Sequence, residues 1–180
     1  SSWKQADLYA PHVVSLVKSG NELKASSLLA DLFARIGIYS QQMQSNYQQA
    51  LGYYEQAFET RKVIYPDNHP DIASSLSNLG SVWHRLSQYE KALKYYGQAL
   101  EMDKDTYPGN HPNVATLLNN IGNIYARLGK HQEALKYYEQ ALEMKQNIYT
   151  GNHPDIAISL GCIGNIYDSL GQYQEALKYY

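Results

Sequence analysis

Residues 111–152 read HPNVATLLNNIGNIYARLGKHQEALKYYEQALEMKQNIYTGN. The same pattern precedes them as HPDIASSLSNLGSVWHRLSQYEKALKYYGQALEMDKDTYPGN and follows them as HPDIAISLGCIGNIYDSLGQYQEALKYY. Asn-His-Pro falls at Asn68-His69-Pro70, Asn110-His111-Pro112 and Asn152-His153-Pro154, a period of 42. Tyr-Tyr keeps the same step at Tyr53-Tyr54, Tyr95-Tyr96, Tyr137-Tyr138 and Tyr179-Tyr180. A fixed period of this size marks stacked repeats, because each unit is too small to bury its own apolar face and must lay it on a neighbour.

Each unit holds two helical patterns. From Pro112 to Leu128 the apolar residues Val114, Leu117, Leu118, Ile121, Ile124, Tyr125 and Leu128 are spaced by three and four, so they share one stripe. Gly129-Lys130 ends that helix, since glycine accepts the left-handed conformation of a sharp stop. The second helix runs from about His131 to Tyr149, with Ala134, Leu135, Tyr138, Ala141, Leu142 and Ile148 on one side. Asn152, with Asp155 three residues on, reads as the N-cap of the next helix, with Pro154 tolerated in its first turn.

These residues resemble the tetratricopeptide repeat. The middle unit supplies Leu118, Ile121-Gly122, Tyr125, Ala134, Tyr138 and Ala141. The unit before it supplies Leu76, Leu79-Gly80, Trp83, Ala92, Tyr96 and Ala99, and the last one Leu160, Ile163-Gly164, Tyr167, Ala176 and Tyr180. The usual period of that family is about 34. The longer form, with its Asn-His-Pro loop, looks like the repeats of kinesin light chains. The resemblance covers about residues 46–180 and implies an all-α, right-handed superhelical solenoid of antiparallel helix pairs. It also implies a non-enzymatic scaffold that binds a peptide or protein segment in a concave groove.

The expected organisation is a divergent N-terminal helix pair over 1–45, then repeats over 46–180. Residues 46–70 form the second helix of a degenerate first unit. Regular units follow at 71–112 and 113–154, and 155–180 stops inside a second helix. In the N-terminal part, a helix over 2–18 carries Trp3, Ala6, Ala10, Val13, Val14 and Val17 on one side. Pro11 kinks or splits it, and Ser19-Gly20-Asn21 turns. A second helix over 22–44 carries Leu28, Leu29, Leu32, Phe33 and Ile36, with a turn near Gln44–Asn46. The unfinished last unit predicts that the natural protein continues, and that this segment self-associates through its C-terminal repeat.

Composition narrows the function. The formal net charge is −2, with Lys and Glu intermixed, so no basic stripe points to nucleic acid. No apolar run approaches the ~18 residues of a membrane span. One cysteine, Cys162, fits a reducing, cytoplasmic setting and precludes an internal disulfide framework. His69, His111 and His153 recur in register, but neighbouring helices stand ~8–10 Å apart and zinc takes its ligands at about 2 Å. These histidines are therefore expected to pack and cap loops. Cys162 has no His at a short helical spacing to act as its base, so it reads as an inert small side chain. No carboxylate pair, triad or metal spacing suggests an enzyme, and no cofactor is expected.

In the resembling family the second Tyr of each pair (Tyr54, Tyr96, Tyr138, Tyr180) lies on the inward stripe. The first (Tyr53, Tyr95, Tyr137, Tyr179) lies off it, on the outer side. The same resemblance places the groove on the first helix of each unit. In the middle unit it implies Asn119, Asn120, Asn123, Ala126 and Arg127. In the unit before it implies Ser77, Asn78, Ser81, His84 and Arg85, and in the last Gly161, Cys162, Asn165, Asp168 and Ser169. An amide offers donor and acceptor together, so a row of Asn suits the backbone of an extended peptide, and Arg85 and Arg127 favour acidic residues. The carboxylate clamp of co-chaperones is not expected, because its cationic positions hold Ser77, Asn119 and Gly161. A competing reading comes from Tyr9-Ala10-Pro11-His12-Val13-Val14, which loosely resembles the linker between a signalling NTPase and a repeat-built sensor arm.

Overall fold

In a computed structural model the described residues are 27–42, 46–65 and 68–180. They are helical throughout, with no strand among them. The helices are α1 (Ser27–Gln42), α2 (Tyr47–Ile64), α3 (Pro70–Arg85), α4 (Tyr89–Thr106), α5 (Pro112–Arg127), α6 (His131–Ile148), α7 (Pro154–Ser169) and the short α8 (Tyr173–Ala176). The expected helix over 2–18, its Pro11 break and the turn at 19–21 lie outside the described residues. The described residues divide into two compact units, one ending at residue 88 and the other running over 89–180.

Within the first unit α1 packs on α2 and α2 on α3. The stripe of α1 differs from expectation. Leu29, Phe33 and Ile36 are buried, but Leu28 is 66% exposed and Leu32 37%. The buried side of α1 includes Ala30, Ala34, Gly37 and Ser40. These small residues let α2 approach so closely that a β-carbon on Gly37 would stand 2.6 Å from Cε1 of Tyr54. Close backbone approach, rather than the largest side chains, sets the rotation of α1. The start of α2 is capped by Asn46, whose side chain accepts from Gln49 N.

Within the second unit α4, α5, α6, α7 and α8 pack each on the next. The apolar stripe of α5 is buried as its spacing predicts, with Val114, Leu117, Leu118, Ile121 and Ile124 all at 4% exposure or less. Each such side chain contributes roughly 1.5–3 kcal/mol on leaving water. Ala134, Leu135 and Tyr138 of α6 join Ile163 and Ile166 of α7 in one cluster. Tyr54, Tyr96 and Tyr138 are buried as expected, but Tyr180 is 68% exposed. Leu177 is also open, where its counterpart Leu135 is covered.

In three of the pairs the first Tyr does not stand loose on the outside. Tyr137 stacks on Tyr125 at 5.4 Å between ring centroids, Tyr179 on Tyr167 at 5.5 Å, and Tyr53 near Phe33 at 6.3 Å. Each ties the second helix of a pair to the first by an offset aromatic contact. The turn between the helices is also regular. Gly129 and Gly171 take positive φ, and Ser87 holds the same place at φ 57°. In each, the residue after the turn donates its N–H five residues back: Gln88 to Trp83, Lys130 to Tyr125, and Gln172 to Tyr167.

The loops between pairs carry a correction. The cap of α7 is His153, not Asn152: its Nδ1 accepts from Asp155 N at 3.2 Å. His69 and His111 do the same for α3 and α5. Each ring also lies flat on a tyrosine four residues earlier, with centroids 3.5 Å apart for Tyr65–His69 and 3.7 Å for both Tyr107–His111 and Tyr149–His153. The ring is held by the stack and presents its lone pair to the helix start, the role more often filled by Asn or Ser.

Candidate functional site

The first helix of each pair carries the polar row. On α5, Asn120 and Asn123 are half-buried and Arg127 is exposed, with Ala126 half-buried beside them. On α7, Gly161 and Cys162 are half-buried, while Asn165, Asp168 and Ser169 are exposed. On α3, in the other unit, Ser77, Asn78, Ser81 and His84 are half-buried and Arg85 is exposed.

Asn119 departs from this row. It is only 7% exposed, its Nδ2 donates to Ser159 Oγ at 3.1 Å, and the same hydroxyl donates back to its Oδ1 at 3.2 Å. Its amide therefore joins α5 to α7 inside the core.

Asn123 and Asn165 share a different arrangement. The Tyr138 hydroxyl donates to Asn123 Oδ1 at 2.7 Å, and the Tyr180 hydroxyl donates to Asn165 Oδ1 at 2.8 Å. Both amide oxygens are thus bonded within the protein. Neither Nδ2 has a partner among the described residues. Burial pushes the Tyr138 hydroxyl well above its ordinary pKa, so it remains a donor. The same site is built differently in the first unit. There the Tyr54 hydroxyl, which burial pushes up to about 12, donates to Gln41 Oε1 at 3.1 Å. Gln41 Nε2 then donates to Ser81 Oγ at 3.0 Å, which closes the amide.

Sequence reasoning missed Gln41 and assigned the paired tyrosines to packing alone. It also gave no sign that Arg61, Asp103 and Lys145, one period apart, are buried, at 7%, 3% and 5% exposure. Arg61 donates to Asp71 O, to Ser75 Oγ at 2.8 Å and to Asp31 Oδ1 at 2.7 Å. Lys145 donates to Asp155 O at 3.2 Å and to Ser159 Oγ at 2.8 Å. Both latch a second helix onto the start of the helix that follows. Asp103 breaks the pattern: its Oδ1 has no hydrogen-bond partner. Burial raises the Asp103 carboxyl pKa and His111 partly offsets that; burial lowers the Lys145 ammonium and Asp155 partly offsets it. The signal for these latches was a basic residue fourteen positions before a Ser, Arg61 to Ser75 and Lys145 to Ser159, recurring after two periods.

Cys162 is half-buried, and burial pushes its thiol up, against the pull of Lys145. A thiol held protonated is a poor nucleophile. Among the described residues no group of three His, Cys, Asp or Glu is placed to hold a metal ion, and no helix is long and apolar enough to cross a membrane.

No curated protein matches the chain in sequence. Among solved structures, a putative kinesin light chain with nearly identical tetratricopeptide-like repeats from Podosopora anserina is 19% identical. It covers 98% of this chain and 82% of its own, with a TM-score of 0.77. BtubC (BKLC) from P. vanneervenii is 23% identical over 84% of this chain and 60% of its own, with a TM-score of 0.76. Aspartyl phosphate phosphatase F from Bacillus subtilis is 19% identical over 99% of this chain, of which it is a far longer relative: only 45% of that chain is covered, with a TM-score of 0.79. At these identities the likeness is one of fold. The model of the tetratricopeptide repeat matches residues 28–105 and 109–180. With the recurring helix pairs, the Gly–Tyr contact between their helices and this match over most of its length, the chain belongs to the tetratricopeptide repeat family.

Proposed function

We propose that the chain is a non-catalytic scaffold that holds an extended peptide or protein segment along the first helices of its repeats. The observation that carries this reading is the pair of outward amide donors at Asn123 and Asn165, whose oxygens are bonded to Tyr138 and Tyr180. An amide Nδ2 at each of two successive first helices suits the carbonyls of a peptide backbone, whatever its sequence. Arg127 is exposed at the end of α5 and favours an acidic side chain nearby. Asn120 and Asp168 complete the proposed contact residues of this unit; Ser77, Asn78, Ser81, His84 and Arg85 are the corresponding proposed contacts of the other unit, taken by itself. Asn119 is left out because its amide is engaged in the core.

A library of random peptides displayed on phage and selected on the immobilised chain tests this. An enriched peptide is then titrated by fluorescence anisotropy against the parent and an Asn123→Ala, Arg127→Ala variant, after circular dichroism confirms that the variant folds. One charge-assisted hydrogen bond is worth roughly tenfold in affinity, so the variant is expected to lose at least that. Equal affinity for both chains, or no enrichment at all, overturns the proposal.

A further inference from the structure

We infer that the hydroxyls of Tyr138 and Tyr180 are positioning groups that lock Asn123 and Asn165 with their donors outward, so the face takes ligand groups that bring acceptors. The inference rests on the peptide-holding reading and specifies its chemistry. The two ends of an amide are nearly the same size, and a free Asn presents donor or acceptor by turning over. Here the oxygen is bonded inward at 2.7 Å on α5 and 2.8 Å on α7, and turning either amide over would exchange donation by the phenol for its weaker acceptance from Nδ2. Each hydroxyl sits on a ring placed by the backbone: Tyr138 packs where a β-carbon on Gly122 would stand 2.7 Å from Cε1, and Tyr180 where one on Gly164 would stand 2.9 Å away. The Tyr138 hydroxyl, on a buried ring, therefore has little freedom to follow the amide.

The first unit shows what the same tyrosine does when the site is closed. Tyr54 orients Gln41 by its oxygen, but Ser81 takes the amide nitrogen. An identical aromatic position thus gives an internal bridge in one unit and two outward donors in the other. The ligand class that fits the outward donors is an extended main chain offering carbonyl oxygens, with acidic side chains toward Arg127.

Two measurements test the inference. The first needs no ligand. In nitrogen-15 NMR spectra the side-chain amide signals of Asn123 are expected to lie away from those of a solvated asparagine, and Tyr138→Phe is expected to return them toward it. Unmoved signals overturn the inference. The second uses the peptide selected above. Tyr138→Phe keeps the ring and removes the hydroxyl, and is expected to weaken that peptide about fivefold, the worth of one ordinary hydrogen bond. Asn123→Asp keeps the shape, still accepts from Tyr138 and has no donor, so it is expected to weaken the peptide at least as much. Undiminished binding to Tyr138→Phe overturns the inference while leaving the scaffold reading intact, and undiminished binding to Asn123→Asp overturns both, since both rest on that donor. A chain that selects no peptide overturns both. Tyr180→Phe, at an exposed ring with the same bond to Asn165, repeats both measurements if Tyr138→Phe does not fold.

Discussion

A β-carbon on Gly122 would stand 2.7 Å from Cε1 and 2.8 Å from Cδ1 of Tyr138. Real β-carbons do not approach a ring so closely, and this ring is buried, so it cannot swing away. Gly122→Ala gains about 1 kcal/mol of helix propensity. Overpacking a close contact costs roughly 1–3 kcal/mol or more, so the variant is expected to be destabilised. Gly97, mid-helix in α4, would meet nothing within 4 Å. Gly97→Ala is expected to raise stability by about 0.5–1 kcal/mol. Urea denaturation of both variants decides whether the contact or the propensity dominates.

The turn between α3 and α4 offers a second gain. Ser87 sits at φ 57°, where Gly129 and Gly171 occupy the matching turns at 70° and 72°. A non-glycine residue is strained there by about 1 kcal/mol. Ser87→Gly is expected to stabilise the chain by several tenths of that, after the entropy that glycine adds to the unfolded state. Gly129→Ala is expected to do the opposite. Thermal melts of the two variants should move in opposite directions.

The periodic pattern was legible because it depends on single positions. Val114, Leu118 and Ile121 follow helical spacing, and His-Pro marks each helix start whether the cap is His or the Asn before it. What was not legible depends on pairs. Asn119 looks like its neighbours Asn120 and Asn123, and only the Ser159 hydroxyl on another helix draws it inward. Leu28 and Leu32 fit an apolar stripe by spacing, yet the close Gly37–Tyr54 contact turns α1 away from them. Lys145 carries no mark of burial in its own helix because the Ser159 and Asp155 oxygens that receive it lie beyond a loop.

Two asparagines on α5 should therefore separate stability from binding. Asn119→Ala removes both hydrogen bonds to Ser159 inside the core and is expected to cost about 1–3 kcal/mol of stability. It should leave peptide affinity within twofold or so of the parent. Asn123→Ala should weaken the peptide with a smaller loss of stability. Chemical denaturation and anisotropy on the same samples check this crossing of effects. If Asn119→Ala alone abolishes binding in a folded chain, the amide is not confined to the core.

Asp103 predicts a pH dependence. Its carboxyl is buried, one oxygen lacks a partner, and burial raises its pKa. A raised acid binds its proton more tightly in the folded state. Its contribution to stability is therefore full in acid and lost as pH rises from the ordinary carboxylate value through the folded one. Asp103→Asn, which removes the buried charge, is expected to gain about 1 kcal/mol near pH 7. That advantage should shrink as pH falls through the same window, since protonated Asp103 is neutral as well. Melting temperatures of parent and variant between pH 4 and pH 7 give the comparison.

The stacked tyrosine and histidine have a mechanical consequence. His153 is bound on one side to the Tyr149 ring that ends one helix pair and on the other to the Asp155 amide that begins the next. Tension on that short connector cannot straighten it gradually, because the ring contact and the cap depend on the same imidazole. To lengthen, the connector must first break the ring stack or the cap. Pulled from its ends, such a link acts as a catch with a threshold rather than as a soft spring, and slack enters the chain one whole connector at a time.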